Sequence, residues 1–187
     1  LLVPTPSDDG EKKEPHHIAY TDWGDRHNPH VVICVHGLTR NCRDFDYLAR
    51  ALETDCRVIC VDIVGRGQSD WLGQAQDYDN YRLYLSDAMS LVAHIQRQYQ
   101  EPVTFDWVGI SLGGLIGMFV AIQPHQSFSI SKLVMSDIGP LIPAIALTRI
   151  ADYVGKDMRF NNFEEFKQYM KMISISFGPL TEEQWNH

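Results

Sequence analysis

A serine stands two residues from a glycine on either side, Gly109-Ile110-Ser111-Leu112-Gly113. An apolar run, VTFDWVG (103–109), precedes it, and a glycine-bearing apolar run, LGGLIGMFVAIQ (112–123), follows. This spacing between a strand and a helix makes a sharp turn that lifts the serine hydroxyl out of the sheet on strained backbone. The flanking glycines are required because a Cβ there would meet the turn or the neighbouring strand. The helix that follows offers free N–H groups and a partial positive charge to an anion forming beside the serine. Ser111 is therefore the candidate nucleophile of an acyl transfer. The plainer alternative, a chance Gly-Ser turn at a helix cap, fits the flanking runs less well.

Two further loops follow apolar runs in the same way. After HVVICV (30–35) comes His36-Gly37-Leu38. Gly37 lets the backbone approach a substrate, and His36 reads first as the residue that fixes the loop; both are assigned to the substrate-binding region. After CRVICVD (56–62) comes a glycine-rich turn, Asp62 to Asp70. Asp62 and Arg66 are expected to stabilise that turn, whose glycines suit positive φ. Asp137 follows the strand after the elbow and is a candidate acid for orienting an imidazole, or else a turn residue in Ser-Asp-Ile-Gly-Pro. The imidazole itself is harder to find. The histidines are His16, His17, His27, His30, His36, His94, His125 and His187. His125 falls at the far end of the helix after the elbow, His94 lies on a helix, and His187 is the last residue.

The elements that must carry these loops are legible as periodicity. HHIAYTDWG, HVVICV, CRVICVD, VTFDWVG and SKLVMSD (131–137) read as strands, the middle ones apolar enough to be buried on both faces of a parallel sheet. Residues 44–54 read as a helix with Phe45, Leu48 and Leu52 on one face. A longer helix over 81–100 has the stripe Leu85, Ala88, Met89, Val92, Ile95 and Tyr99, with Pro102 beyond its end. Residues 112–123, apolar nearly all round, read as a buried helix stopped by Pro124. Alternation of strand and helix predicts an α/β fold with a mainly parallel sheet and helices on both faces. After residue 140 the pattern turns helical: 143–154 closed by Gly155, a helix capped by Asn162 with Glu165, and a third started by Thr181 with Gln184. The division expected is a core over 1–140 and a helical lid segment over 141–187.

Composition narrows the partners. The chain has 187 residues, 44% hydrophobic and 21% charged, with a net charge of −8. That balance excludes the basic footprint of a nucleic-acid binder and leaves no polybasic patch for an anionic membrane. No apolar run approaches the roughly 18 residues of a membrane span. The N-terminus has neither the charge pattern of a signal peptide nor an initiator methionine, so the sequence is expected to begin inside a longer product. Cys34 and Cys60 sit in apolar runs and read as small buried hydrophobes. With Cys42 and Cys56 they form neither a disulfide framework nor a CxxC pair, which points to a reducing, cytoplasmic compartment.

HGLT, DIVGRGQSD, GISLGG and LVMSDIGP, in this order and spacing, resemble the α/β-hydrolase superfamily over roughly residues 18–155. The likeness is greatest to its small, lid-bearing bacterial esterases and carbon–carbon-bond hydrolases. The resemblance implies Ser111 as nucleophile, an oxyanion hole from the Leu38 and Leu112 N–H groups, and a lid inserted near Asp137. A stripe of Phe163, Phe166, Tyr169, Met170 and Met172 could line an acyl pocket or simply pack. Superfamily members that use an elbow aspartate, the epoxide hydrolases and haloalkane dehalogenases, are excluded by the serine. No metal or cofactor is implied. The superfamily's chain order places the acid and then the histidine after the elbow, so the catalytic histidine is expected outside this chain. The expected activity is hydrolysis of carboxylic esters or related acyl compounds through a Ser111 acyl-enzyme. Ring-fission cleavage of a carbon–carbon bond is one alternative. A truncated, non-catalytic ligand-binding fragment is another, whose open sheet edge would favour self-association or a completing C-terminal chain.

Overall fold

In a computed structural model the structure describes residues 1–6, 13–124, 128–151, 154–156, 158–175 and 178–186. The candidate histidines His125 and His187 lie outside the described residues. The chain forms two compact units, Leu1–Pro143 and Ala144–His187.

In the first unit the β-branched runs form the strands their sequence predicts. Strands β3 (Tyr20–Trp23), β4 (His30–Val35), β5 (Arg57–Val61), β6 (Thr104–Ile110) and β7 (Ile130–Ser136) build one sheet in the order β3-β5-β4-β6-β7. All pairings are parallel except β3 with β5. The segment HHIAYTDWG is not one strand: His16–His17 (β2) pairs with Leu2–Val3 (β1) in a separate two-stranded sheet, and β3 begins at Tyr20.

Alternate side chains of the central strands enter two cores. One face (Val31, Ile33, Val35, Ile59, Phe105, Trp107) packs with helices α2 (Tyr81–Gln96) and α3 (Leu112–Ala121). The other (Val32, Cys34, Val58, Cys60) packs with a 3-10 turn at Cys42–Phe45 and helix α1 (Asp46–Leu52). All four cysteines are buried free thiols.

Two helix faces differ from expectation. In α2 the buried residues are Leu83, Asp87, Ala88, Leu91, Val92 and Ile95, while Leu85 and Met89 are only partly buried. The face is turned because the Asp87 carboxylate is drawn inside by His16, whose Nε2 lies 3.0 Å away. Burial pushes the Asp87 carboxyl above its ordinary range. Helix α3 is not covered all round: Phe119 is exposed and stacks on Tyr81 at the start of α2, and Ile122 beyond its end is exposed too.

The second unit holds α4 (Ala144–Ala151), α5 (Phe163–Ile173) and α6 (Glu182–Asn186). Its caps are those the sequence predicts. The Asn162 side chain accepts from the Glu165 N–H at 2.9 Å. Thr181 and Gln184 bond reciprocally, each side chain accepting the other's backbone N–H. Among the described residues no helix is long and apolar enough to cross a membrane.

Candidate active site

β6 ends at Ile110, α3 begins at Leu112, and the single residue between them carries the turn. Ser111 has φ 48° and ψ −112°, a conformation that costs a non-glycine residue about 1–3 kcal/mol. Its N–H donates to the Ser136 carbonyl at the end of β7 (2.9 Å), and its carbonyl accepts from Gly114 (2.9 Å) and Leu115 (3.2 Å). The flanking glycines permit the tightness. A Cβ on Gly109 would fall 2.4 Å from the Gly113 backbone, and one on Gly113 would fall 2.0 Å from the Val35 carbonyl oxygen. The start of α3 thus sits directly against the end of β4. The Trp107 indole N–H donates to the Gly113 carbonyl at 2.9 Å, fixing the turn from below.

The loop after β4 lies against the serine: the closest atom to a Cβ built on Gly37 is Ser111 Cβ, at 3.7 Å. His36 holds this loop from inside. Its Nε2 lies 3.0 Å from the Ile63 N–H, which can only donate, so Nε2 accepts and Nδ1 carries the proton given to the Gly37 carbonyl at 2.7 Å. Burial lowers the His36 pKa below its usual 6.5, in keeping with a neutral ring. The ring is fully buried and both nitrogens are taken. The His36 side chain is thus a strut that fixes the loop, the first of its readings from sequence. The peptide it grips is planar and trans, so the Leu38 N–H points away from the held carbonyl.

Two more bonds join the same loop to the turn after β5. The Asp62 carboxylate accepts from the Cys42 N–H (2.7 Å) with one oxygen and from the Gln68 N–H (2.9 Å) with the other. A Cβ on Gly67 would strike that carboxylate at 2.2 Å, and Gly67 has φ +55°. Arg66 Nε donates to the Leu38 carbonyl at 2.9 Å. Asp62 and Arg66 stabilise their turn, as expected, but each also reaches the neighbouring loop, which local spacing does not reveal.

Leu112 opens α3, where the first N–H groups have no partner within the helix. Asp137 directly follows Ser136, the residue whose carbonyl holds Ser111; it is exposed and left-handed, with φ 57°. Ser111, Gly37, Leu38, Leu112 and Asp137 therefore gather at the C-terminal ends of β4, β6 and β7, where open α/β sheets carry their sites. Phe163 and Phe166 belong to the second unit, where they form an aromatic group with Phe160 and Tyr169.

Apart from His36, the described histidines are placed elsewhere. His16 pairs with Asp87, His17 with Asp70, His30 with Asp106, and His94 with Tyr20 and Gln98. His27 lies in the turn before β4. Among the described residues no group of three or more His, Cys, Asp or Glu side chains could hold a metal ion.

A serine raised at a strand-to-helix turn over a mostly parallel sheet is the arrangement of the α/β-hydrolase fold. The chain belongs to the family described as serine aminopeptidase, S33, whose model matches residues 26–159. It is 45% identical over 170 residues to a 3-hydroxybutyrate-oligomer hydrolase of Cupriavidus necator, covering 91% of this chain and 55% of that one. Among solved structures, a hydrolase from Rickettsia typhi superposes with a TM-score of 0.87 at 30% identity, over 99% of this chain and 63% of that one. An α/β hydrolase from Novosphingobium aromaticivorans gives 0.76 at 32% identity, over 99% and 60%. The chain thus spans between about half and two thirds of the length of these relatives.

Proposed function

We propose that the protein is a carboxylic-ester hydrolase that works through a Ser111 acyl-enzyme on short hydroxyacid esters. The observation that carries this reading is the strained Ser111 turn set against the Gly37 loop. In this mechanism Ser111 Oγ attacks the ester carbonyl, and the Leu38 and Leu112 N–H groups receive the oxyanion. A histidine from beyond this chain takes the hydroxyl proton and passes it to the leaving alcohol. The same histidine then deprotonates the water that releases the acid. Asp137, beside the elbow, is assigned to orient that imidazole. The engagement of the described histidines elsewhere and the greater length of the relatives support an outside source for the base. The Cupriavidus relative, named for its action on 3-hydroxybutyrate oligomers, supports the choice of substrate.

The test is the intact mass of the purified protein before and after a fluorophosphonate, followed by assays on a 3-hydroxybutyrate dimer and on a 1,5-diketone. One probe per molecule, none on Ser111→Ala, and release of hydroxybutyrate are expected. Labelling with cleavage of the diketone alone would replace the ester reading with carbon–carbon-bond hydrolysis. No labelling would remove the acyl-enzyme.

A further inference from the structure

Three side-chain bridges join the loop 36–42 to the turn 62–70: His36 to Ile63, Asp62 to Cys42, and Arg66 to Leu38. The first two involve buried groups. The third comes from a half-buried guanidinium, and the turn that carries Arg66 does not need it. Arg66 Nη1 already closes that turn on the Val64 carbonyl at 2.7 Å. Its Nε instead spends its proton on a carbonyl 28 residues away. The guanidinium is built into place: its carbon lies 5.7 Å from the Tyr78 ring centroid and 5.8 Å from that of Tyr84. The Tyr84 hydroxyl donates to the Tyr78 carbonyl at 3.0 Å, and Tyr78 also packs on Gly65, where a Cβ would fall 2.6 Å from the ring.

We infer that Arg66 is a positioning residue of the oxyanion hole, fixing the Leu38 N–H by holding the Leu38 carbonyl. Two peptide planes meet at the Leu38 Cα. The first carries the Leu38 N–H, and its carbonyl, that of Gly37, accepts from His36 at 2.7 Å and from the Arg40 N–H at 3.3 Å. The second carries the Leu38 carbonyl, held by Arg66. With both planes tied, neither φ nor ψ of Leu38 is free, and the donor is aimed before substrate arrives. Such preorganisation matters because a donor contributes most when it needs no reorganisation during the reaction. The inference rests on the reading of Leu38 as an oxyanion donor.

The test uses the purified protein with three variants: Arg66→Met, Arg66→Lys and Leu38→Pro. Labelling rate with a fluorophosphonate, affinity for a trifluoromethyl ketone that forms a tetrahedral oxyanion, kcat, KM and Tm are measured. Arg66→Met is expected to slow labelling about tenfold and to weaken the ketone by a similar factor, with KM within about twofold, since only the transition state uses the donor. Arg66→Lys, which can still reach one carbonyl, should recover part of the loss at an unchanged Tm. Leu38→Pro, which removes the N–H itself, should lose about a hundredfold or more. Arg66→Met at the parent rate beside a slow Leu38→Pro would overturn the role of Arg66 alone. Leu38→Pro at the parent rate would instead remove the oxyanion reading on which it stands.

Discussion

Residues 1–143 enclose a core in which Trp107, Phe105, Ile33, Ile59, Leu91 and Ile95 are all but sealed from solvent, though Trp71, Ile122 and Leu141 stay on the surface. In residues 144–187 the same residue types face outward, with Ile145 78% exposed, Phe163 64% and Ile175 81%. The two units are held by different forces. The first depends on contacts between residues far apart in sequence, such as the parallel registers of β4 with β5 and β6. The second depends on neighbours: two helix caps, and Lys167 and Lys171 on Glu182, whose carboxyl they hold down to about 2. The elbow and its loops lie in the first kind of structure, where a shift anywhere is felt at the site. Helices of the second kind open locally at small free-energy cost.

Substitutions at matched positions can break this contrast. The largest effect is expected at Arg57, which is buried and bonded to both Asp22 oxygens at 2.9 Å, to Gln98 and to Tyr99. Arg57→Met takes the buried cation from Asp22, leaving it only the exposed Arg26 at 3.2 Å, and should cost about 3 kcal/mol in urea denaturation. Next is a pair of glycines. Gly113→Ala drives a Cβ into the Val35 carbonyl and should cost about 3 kcal/mol. Gly155→Ala in the second unit has open space and carries only the left-handed penalty of about 1–2 kcal/mol. Equal losses at the two sites would show that packing does not separate the units.

A smaller effect is expected from His36. Its folded-state pKa lies below its unfolded value near 6.5, so the unfolded chain binds the extra proton. Stability from this group is complete above about pH 6.5 and declines as pH falls through the window below it, by at most about 1.4 kcal/mol per pH unit. His36→Gln should flatten that part of the profile. The smallest effect is Asn162→Ala, which removes the cap of α5 and costs about 1 kcal/mol. Amide exchange should quicken about fivefold in α5 while the exchange of β4–β6 amides stays unchanged. Faster exchange in the strands would mean that the units unfold together.

The same contrast governs how much the sequence revealed. The strands β4 and β5 were legible because a continuous β-branched run states its burial by itself. The elbow was legible because its glycines, its serine and its flanks are contiguous. The caps of α5 and α6 were legible because Asn162 and Thr181 bond residues three positions on. What stayed hidden was long-range. The burial of Asp87 follows only once His16, 71 residues away, is folded against it. The reach of Arg66 to Leu38 and of Asp62 to Cys42 has no local signature, and neither does the left-handed Asp137. The orientation of the His36 ring follows only once Ile63 and Gly37 flank it.

The bond from the Ser111 N–H to the Ser136 carbonyl has a mechanical consequence. Ser136 is the last residue of β7, and β7 is an outermost strand of the described sheet. The strained turn is thus anchored on one side to the interior and on the other to a strand with a single neighbour in the described sheet. Ser111 is thus held between strands: its N–H is tied to the end of β7, and its Cβ faces the Gly37 loop that follows β4, so the nucleophile's place is set by where neighbouring strands end as much as by its own turn.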